Sequence, residues 1–486
     1  MGSLIKNELI KIFRKKSTYI VLIILAAFVI LTNLIYKFML STIMPDNYRS
    51  SEQYISYAKE QLKNMSPETD REEYINLKTE VDLYELENAF DEGSWQMYIV
   101  NRDFGQYIRD INIEKYGSEA DKAVITNNPQ EVYNKELNKL KNSDWKQYAK
   151  EEIAELESEI EEVKIQRNLF DTISPNSQEI DVSLKVLETR LEMAKLRIEK
   201  DIPYGHNYMN DAIQTIINSA DLDYEYDNQG MSYQEKLAKQ EAIEKYEKAK
   251  YVIEKRQDIN NYSSARGVLL NSFDEYSIFL VIFVVMIAGG IVSSEFEKGT
   301  IKMLLVKPYK RWKILLAKYI VSLLMIGFIF IVTMIMQVII GGILFGFNSL
   351  AVPAVVYNFS TNSLETYNLF AYWGILAISK LPIYLLLGTL AFAISCIFGN
   401  TVLSIVLPII GNIGGAIVNS IVSMKPIKHI AAFPTLNWDF SQFLFGHLPT
   451  YEFTNVRFAT IVCLIYFVIM IAGSWTAFNK KEIKNV

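Results

Sequence analysis

The stretch SSEFEKGTIKMLLVKPYKRWK, Ser293 to Lys313, joins two long hydrophobic runs and carries six bases but only two acids. The other connections of the chain are acidic or nearly neutral. If the flanking runs cross a membrane, this connection is a cytoplasmic loop, because bases in short loops collect on that side. It is also the first place to look for a partner-binding surface.

Charge and hydrophobicity are segregated along the 486 residues. Half of the residues are apolar, and the formal net charge is −6. Residues 46–265 contain 46 acids and 28 bases, a net of −18, so the rest of the chain carries +12. An ordinary soluble protein spreads its apolar residues throughout. The pattern instead indicates an acidic, water-exposed block between membrane segments.

Six segments are long and apolar enough to cross a hydrocarbon core of ~30 Å. They lie at approximately 19–40, 276–293, 315–345, 371–398, 401–424 and 456–478. The first run is too long for a cleaved signal peptide and lacks a clear cleavage site, so it is predicted to be an uncleaved signal anchor.

The bases of three short segments agree on one topology. Residues 1–18, 294–314 and the tail 479–486 are each rich in lysine and arginine. With six spans they share one side, and the positive-inside rule makes it the cytoplasm. We therefore expect a multi-pass protein of a bacterial cytoplasmic membrane, with both termini in the cytoplasm.

The acidic block 46–265 is predicted to be an extracellular α-helical domain. Ser118–Asp121 and Ser232–Glu235 have the form of capping boxes, and Pro67 after Ser66 indicates a helix start. Two heptad-like runs flank a turn-like stretch and predict an antiparallel, coiled-coil hairpin: Ile153, Leu156, Ile160, Val163 and Phe170, then Leu184, Leu187, Leu191, Ala194 and Ile198. The domain is either a gating or ligand-binding cap or a solvated spacer. The fold class is an all-α membrane protein.

Motifs for chemistry are absent from the sequence. There is no Walker A phosphate loop, and no zinc, serine-hydrolase or dinucleotide fingerprint. The three histidines share no ligand spacing, and Cys396 and Cys463 read as small hydrophobic residues. No metal site is therefore expected.

Ionisable residues are rare in the predicted spans. Lys37 and Lys318 lie near span ends and are predicted to snorkel to the surface. Lys380 is the one base deep enough to be a functional candidate. No carboxylate lies deep in a span, which weakens the case for an ion-driven carrier.

The stretch SSEFEKGTIKMLLVKPYKRWKILLAKY resembles the first cytoplasmic loop of ATP-binding-cassette type-2 permeases. That pattern orders acids, a Gly-Thr pair, an apolar turn, a proline and a basic pair. The resemblance implies a loop that couples to a separate ATPase. Its candidate coupling residues are Glu295, Phe296, Glu297, Lys298, Gly299, Thr300, Met303, Leu304 and Pro308. The alternative is that these charges only enforce topology.

Two further stretches carry the same resemblance. IKNELIKIFRKKSTYIVLIIL is similar to the amphipathic N-terminal helix of the family, with Ile5, Leu9, Ile12 and Phe13 on one face, expected along the inner membrane surface. FGNTVLSIVLPI is similar to its turn between the fourth and fifth spans. The resemblance covers 1–45 and 266–486, and 46–265 is an insertion.

The resemblance implies the permease subunit of an exporter rather than an enzyme. ATP and Mg²⁺ would be bound by two copies of an ABC ATPase, with no cofactor on this chain. A second permease copy, as a homodimer or a related pair, and membrane lipid are the other expected partners, and nucleic acid is not. The charge-poor spans favour an amphipathic or lipid-like cargo such as a peptide or an antibiotic.

The segment 425–455 is too apolar and aromatic for an ordinary exposed loop. Phe433, Trp438, Phe440, Phe443 and Phe445 either close the outer mouth on re-entrant helices, as the family resemblance implies, or form an interfacial aromatic belt. Gly342-x-x-x-Gly346 and Gly411-x-x-x-Gly415 allow close helix approach, either in a dimer or within one subunit.

A second function of another class fits the layout. The membrane component of type VII secretion, which is related to a phage receptor, similarly inserts a helical outer domain after its first span. An outer-surface scaffold or receptor is therefore the alternative to a permease. A scaffold has no need for an ATPase-coupling loop, so that loop discriminates between the two.

Overall fold

The computed structural model describes residues 1–43, 46–125, 128–168, 175–220, 231–301, 309–425 and 427–480. The chain divides into two compact units. The first contains Met1–Phe38, Met231–Gln240 and Ile259–Val486, and the second contains Met39–Gly230 and Glu241–Asp258.

The first unit holds the membrane-spanning helices. Six helices in the described residues are long and apolar enough to cross a membrane, which confirms the number of predicted spans. We name them the first to sixth spans: Thr18–Phe38 (within the helix Lys16–Ile43), Ser277–Glu297, Arg311–Phe345, Leu369–Phe398, Thr401–Met424 and Val456–Lys480. The chain is a multi-pass membrane protein. The N-terminal helix Gly2–Arg14 and the short helices Ala265–Leu270 and Ser272–Glu275 complete the helical part of this unit.

The second and fourth spans form the centre of the bundle. About two thirds of the fourth span and over half of the second are buried, against 17% of the fifth and of the sixth. Leu280, Val284 and Phe392 are almost fully buried in the shared core. The fifth and sixth spans therefore present most of their apolar surface to the outside of the unit, as expected for helices that face lipid.

Local residues explain how the fourth and fifth spans join so tightly. Gly399 ends the fourth span in the left-handed conformation, with φ of 67°. The Asn400 side chain then accepts a hydrogen bond from the Leu403 amide and caps the fifth span. Only Gly and Asn separate the two helices, because each supplies a conformation that helix ends favour.

A β-hairpin interrupts the helical architecture between the third and fourth spans. Strand β1, Ala354–Asn358, pairs antiparallel with strand β2, Ser363–Tyr367, with Val356 opposite Glu365. The β-branched and aromatic side chains of β1 suit a strand. Asn362 takes a positive φ in the turn. The all-α prediction is therefore wrong for this segment.

The segment between the fifth and sixth spans contains only short helices. They are 3-10 helices at Lys428–Ile430, Pro434–Leu436 and Phe440–Gly446, and a further one, Asn348–Ala351, precedes the hairpin.

Helices are the regular secondary structure of the second unit in its described residues, joined by turns and short loops. Its helices are Asp46–Asn64, Arg71–Glu87, Trp95–Ile99, Gly105–Tyr116, Glu119–Lys122, Pro129–Asn142, Trp145–Arg167, Pro175–Glu199 and Tyr208–Asn218, with a π-helix at Val100–Phe104 and the later residues of Tyr233–Lys255. Phe104, Leu140 and Tyr204 are buried in its main core. Tyr204 therefore packs the interior of this domain.

The predicted heptad-like runs lie on two helices that pack together. Leu156 and Ile160 of Trp145–Arg167 form one cluster with Leu187 and Ala194 of Pro175–Glu199. Ion pairs join Arg167 to Asp181 and Glu157 to Lys195, so the two helices run antiparallel. Phe170 lies outside the described residues, and the coiled-coil assignment stays a prediction.

The predicted helix caps have mixed outcomes. Ser118 and Asp121 form the predicted capping box, and Ser232 and Glu235 exchange the predicted hydrogen bonds. The helix start at Pro67 is wrong. The Ser66 carbonyl accepts from the Thr69 and Asp70 amides in a single turn, and the helix begins at Arg71.

Two glycines of the small-residue motifs, Gly342 and Gly415, make close contacts with other residues of the same chain. A Cβ on Gly342 would overlap the ring of Phe347, and a Cβ on Gly415 would overlap the side chain of Thr435. Thr435 is held there by Asn419, whose side chain accepts from its hydroxyl at 2.6 Å. The segment 425–455 therefore packs closely on the fifth span at Gly415, where the lack of a side chain leaves room for Thr435.

We predict that Gly415→Ala destabilises the first unit by about 1–3 kcal/mol, the usual range for overpacking a tight contact. Gly414→Ala is the matched control, because a Cβ there meets no atom within 4 Å. Thermal unfolding of both variants in detergent, followed by tryptophan fluorescence, measures the difference. Equal melting temperatures for the two variants would contradict the packing argument.

Candidate functional site

Four charged side chains meet where the N-terminal helix, the second span and the third span come together. The Lys318 ammonium donates to Glu8 Oε2 at 2.8 Å and to Glu295 Oε1 at 2.9 Å. Lys11 donates to Glu8 Oε1 at 2.8 Å and to Glu295 Oε1 at 3.1 Å. We call these four residues the charge cluster. It ties a predicted coupling residue, Glu295, to two other segments.

Burial makes Lys318 the critical member of the charge cluster. Its side chain is 1% exposed, against 11% for Glu8, 13% for Glu295 and 45% for Lys11. Its ammonium also donates to the Ile291 carbonyl at 3.2 Å, so it has three acceptors for three N–H groups. A buried charge persists only when it is paired and hydrogen-bonded. The prediction that Lys318 snorkels is therefore wrong.

The charge cluster favours the ionised form of its members on the N-terminal helix. Burial alone raises the pKa of the Glu8 carboxyl, but the Lys318 charge and the hydrogen bonds from both lysines hold that pKa below its usual value. Burial likewise lowers the pKa of Lys11, but Glu8 and Glu295 outweigh it, so the pKa of Lys11 lies above its usual value. Glu8 and Lys11 are therefore both charged at neutral pH.

Apolar contacts hold the N-terminal helix in the same place. Ile12 is buried in the core of the first unit, and Ile5, Leu9 and Phe13 pack against that core. The Phe13 ring meets the edge of Phe328 on the third span at 5.3 Å between centroids. The face predicted from helical spacing is therefore the face that contacts the bundle.

The second acid of the predicted coupling loop caps another span. Glu297 accepts from the Thr401 amide at 2.7 Å and from the Thr401 hydroxyl at 2.8 Å. A carboxylate at a helix N-terminus satisfies free amides and complements the helix dipole. The Ser293 hydroxyl lies 2.8 Å from the same Thr401 hydroxyl. The end of the second span is therefore attached to the start of the fifth.

The turn after the second span has a defined shape. Gly299 has a φ of 68°, which other residues adopt at a cost, and its amide donates to the Phe296 carbonyl. Glu297 and Lys298 are exposed, Phe296 packs on the core, and Thr300 is half-buried. Met303, Leu304 and Pro308 lie outside the described residues. The helices end at Glu297 and begin at Arg311, so the connection is shorter than the predicted 294–314.

Lys380 joins three segments on the opposite side of the bundle. Its ammonium donates to Asp274 Oδ1 at 2.7 Å and to Asp439 Oδ2 at 3.3 Å. The Lys380 side chain is 12% exposed, while Asp274 is 72% exposed. Lys380 is thus an ion-pair residue between the fourth span, the short helix Ser272–Glu275 and the segment 425–455.

The predicted gate aromatics do not form one cluster. Phe440 and Phe443 contact each other edge to face, and Trp438 packs against the bundle core. Phe445 contacts Tyr367 of the β-hairpin in a tilted arrangement, stacks with Tyr372, and takes a φ of 55°. Phe433 is partly exposed, at 37%. The hairpin, which the sequence reading missed, is therefore the surface on which Phe445 packs.

A polar group lies inside the bundle at the first, second and third spans. Asn33 and Gln337 are fully buried, and the Asn33 amide donates to Gln337 Oε1 at 2.8 Å. The Thr32 hydroxyl lies 2.7 Å from the Tyr276 hydroxyl. These hydrogen bonds join the three spans inside the bundle, while the Asn33 Oδ1 atom is buried without a hydrogen-bond partner. Across the described residues, no cluster of His, Cys, Asp or Glu could hold a metal ion.

Comparison with known proteins places the membrane half of the chain in a family. A family described as protein of unknown function (DUF2705) matches residues 236–484, slightly more than half of the chain. The chain belongs to the DUF2705 family. Its family region runs from before the second span to the end of the sixth, and so includes Glu295, Lys318 and Lys380.

Two proteins of Bacillus subtilis (strain 168) are similar to the chain. The uncharacterized protein YhcI is 27% identical over 212 residues, which is 43% of this chain and 66% of the relative. The uncharacterized membrane protein YdbK is 23% identical over 208 residues, which is 43% of this chain and 79% of the relative. No solved structure matches the chain.

We predict that Lys318→Met destabilises the protein strongly, by about 3–5 kcal/mol, because it removes the buried cation of two carboxylates and leaves them only the half-exposed Lys11. Lys11→Gln is the control. It removes a lysine that touches the same two acids but is half exposed, so its loss should cost about 1 kcal/mol or less. Thermal unfolding in detergent compares them. Similar melting temperatures would show that burial does not set the energetics of the cluster.

The lowered pKa of Glu8 predicts a pH dependence. A carboxyl whose pKa is lower in the folded state stabilises the fold above its unfolded pKa, about 4.3 for Glu, and loses that contribution as the pH falls through its folded pKa. The difference in melting temperature between the wild type and Glu8→Gln should therefore be constant from pH 8 to about pH 5 and shrink below. A difference that grows on acidification would contradict this sign.

Proposed function

We propose that the chain is the membrane-spanning permease subunit of an ATP-driven exporter of the ABC type, with ATP hydrolysis on a separate partner chain. The supporting observation is the attachment of one short segment, Glu295–Thr300, to three other parts of the bundle. Glu295 joins it to the N-terminal helix and the third span, and Glu297 joins it to the fifth span.

These attachments give a route for mechanical coupling. The segment continues the second span without a break as far as Glu297, so a push on its exposed end acts along a helix. The buried contact of Glu295 with Lys318 carries the displacement to the third span, and the cap at Thr401 carries it to the fifth. In the proposed cycle, closure of the paired ATPases moves these helices together from an inward-open to an outward-open arrangement.

The proposal divides the coupling residues into two groups. Glu295 faces inward, and its role is to transmit force. Lys298 is exposed at the end of the second span, and its role is to contact the ATPase. In this proposal Glu295 does not contact the ATPase, in contrast to a loop in which both Glu295 and Glu297 would contact it. The proposal also leaves the N-terminal side of the bundle as the cytoplasmic side, as the distribution of bases favours.

The pairing of the buried polar and charged side chains in the bundle supports an amphipathic or lipid-like cargo. The buried polar side chains Asn33, Tyr276 and Gln337 are bonded to one another, and the buried charge of Lys318 is matched by carboxylates. Within the described residues of the spans, Lys318 and Lys380 are both paired with carboxylates, so neither offers a free charge that would select a charged solute. The cargo would therefore be recognised through apolar surface.

Copurification is the decisive experiment. We expect a stoichiometric ABC ATPase to copurify with the intact protein from its native membrane in mild detergent, identified by mass spectrometry. Lys298→Glu should remove that ATPase, because it reverses an exposed charge at the proposed contact. Lys6→Glu, an exposed base on the N-terminal helix, is the control and should retain it. Absence of any ATPase from the wild type would favour the scaffold or receptor function instead.

A second experiment separates coupling from binding. Gly299 needs its positive φ, yet a Cβ there would meet no atom within 4 Å. Gly299→Ala should therefore distort the turn by its backbone alone and lower substrate-stimulated ATPase activity of the complex several-fold. Gly299→Asn should preserve it, because Asn tolerates the left-handed conformation better than Ala. If both variants couple like the wild type, the shape of the turn has no role in coupling.

A further inference from the structure

An apolar groove follows the sixth span near its C-terminal end. It has a volume of about 360 Å³ and is open to the outside of the bundle. Phe467, Val468, Ile471, Ala472, Trp475 and Thr476 line it. In a membrane-spanning helix this surface faces hydrocarbon, so an acyl chain matches it chemically.

Three bases lie beside this groove at the start of the third span. They are Lys310, Arg311 and Lys313, and all are exposed. An Arg311 guanidinium nitrogen donates to the Asn479 carbonyl at 3.3 Å, and Trp312 stacks on Trp475 at 6.1 Å between ring centroids. These two contacts fix the basic group next to the aromatic end of the groove.

The three bases lie at the N-terminus of a helix, where positive charge is electrostatically unfavourable. They occupy the first turn of a 35-residue helix that has no acid in that turn and no side-chain cap. The N-terminus of a helix carries partial positive charge and favours anions. Within the described ranges of the chain, none of the three bases forms an ion pair. No acid among the described residues therefore pairs with the positive charge of this helix start.

We propose that the groove and the three bases together bind an anionic phospholipid. The headgroup phosphate lies against Arg311 and Lys313, and one acyl chain follows the sixth span from Trp475 towards Phe467. Basic pockets between spans favour acidic headgroups, and tryptophan favours the interface between headgroup and hydrocarbon. This site is separate from the coupling contacts of Glu295 and Glu297.

The apolar groove and the three bases together discriminate between possible ligands. An acidic peptide or a free phosphate would neutralise the bases but leave the groove unused. A zwitterionic lipid such as phosphatidylcholine would fill the groove, but its headgroup has no net charge to offset three cations. A phospholipid with a net negative headgroup satisfies both halves with one molecule.

Native mass spectrometry of the purified protein tests the proposal, with phosphatidylglycerol and phosphatidylcholine of the same acyl chains added in equal amounts. We expect the wild type to retain phosphatidylglycerol preferentially. Arg311→Gln with Lys313→Gln should lower that preference on the order of ten-fold. Arg14→Gln with Lys16→Gln removes two exposed bases from another part of the chain and should leave the preference unchanged.

Further variants separate the groove from the charges and guard against misfolding. Ala472→Phe fills the groove and should weaken retention of both lipids. The Lys313 ammonium lies over the ring of its neighbour Trp312 and forms no ion pair with a described residue, so Lys313→Gln alone should fold normally and lower the preference by itself. Equal retention of the two lipids by the wild type, or equal loss in the Arg14 and Lys16 control, would overturn the proposal. Retention of inorganic phosphate in place of lipid would also overturn it.

Discussion

A lysine ammonium stays charged inside an apolar bundle only if carboxylates lie within hydrogen-bond distance, and this constraint organises one side of the protein. Lys318 is 1% exposed, and its two carboxylates come from distant parts of the chain. Glu8 can reach it only if the N-terminal helix packs on the third span. Glu295 can reach it only if the second span ends at the same depth. One buried charge thus fixes the relative positions of three helices.

The end of the second span is consequently held from two directions. Glu295 is drawn into the charge cluster, while Glu297, two residues later, caps the fifth span through Thr401. Residues two apart on a helix point to different sides, so one short segment can hold two neighbours at once. Gly299 then turns the chain away with its positive φ. A rigid end followed by a sharp turn suits a segment on which another protein acts.

Local properties of the sequence were enough to predict the helical bundle. Features that depend on contacts between distant residues could not be predicted. Hydropathy is read from consecutive residues, so the six spans were found and the fifth was bounded as observed, at Thr401–Met424. The sequence analysis missed the two short strands because a five-residue stretch such as AVVYN between apolar runs does not differ from a loop or a span end. The Lys318 pairing escaped because its partners lie 310 and 23 residues away. An isolated lysine amid apolar residues was a signal that an acid must lie nearby.

The ion pairs of Lys318 and Lys380 differ in strength, and this difference affects how the second span can move. The second span is tied at one end through Glu295 to Lys318, and just before its other end through Asp274 to Lys380. The first contact is almost fully buried, whereas Asp274 is 72% exposed and its attraction is screened by water. A movement of the second span should therefore separate Asp274 from Lys380 well before it breaks the charge cluster. The second span then stays attached to the third span at its Glu295 end, which is the end that the proposed ATPase contact would drive.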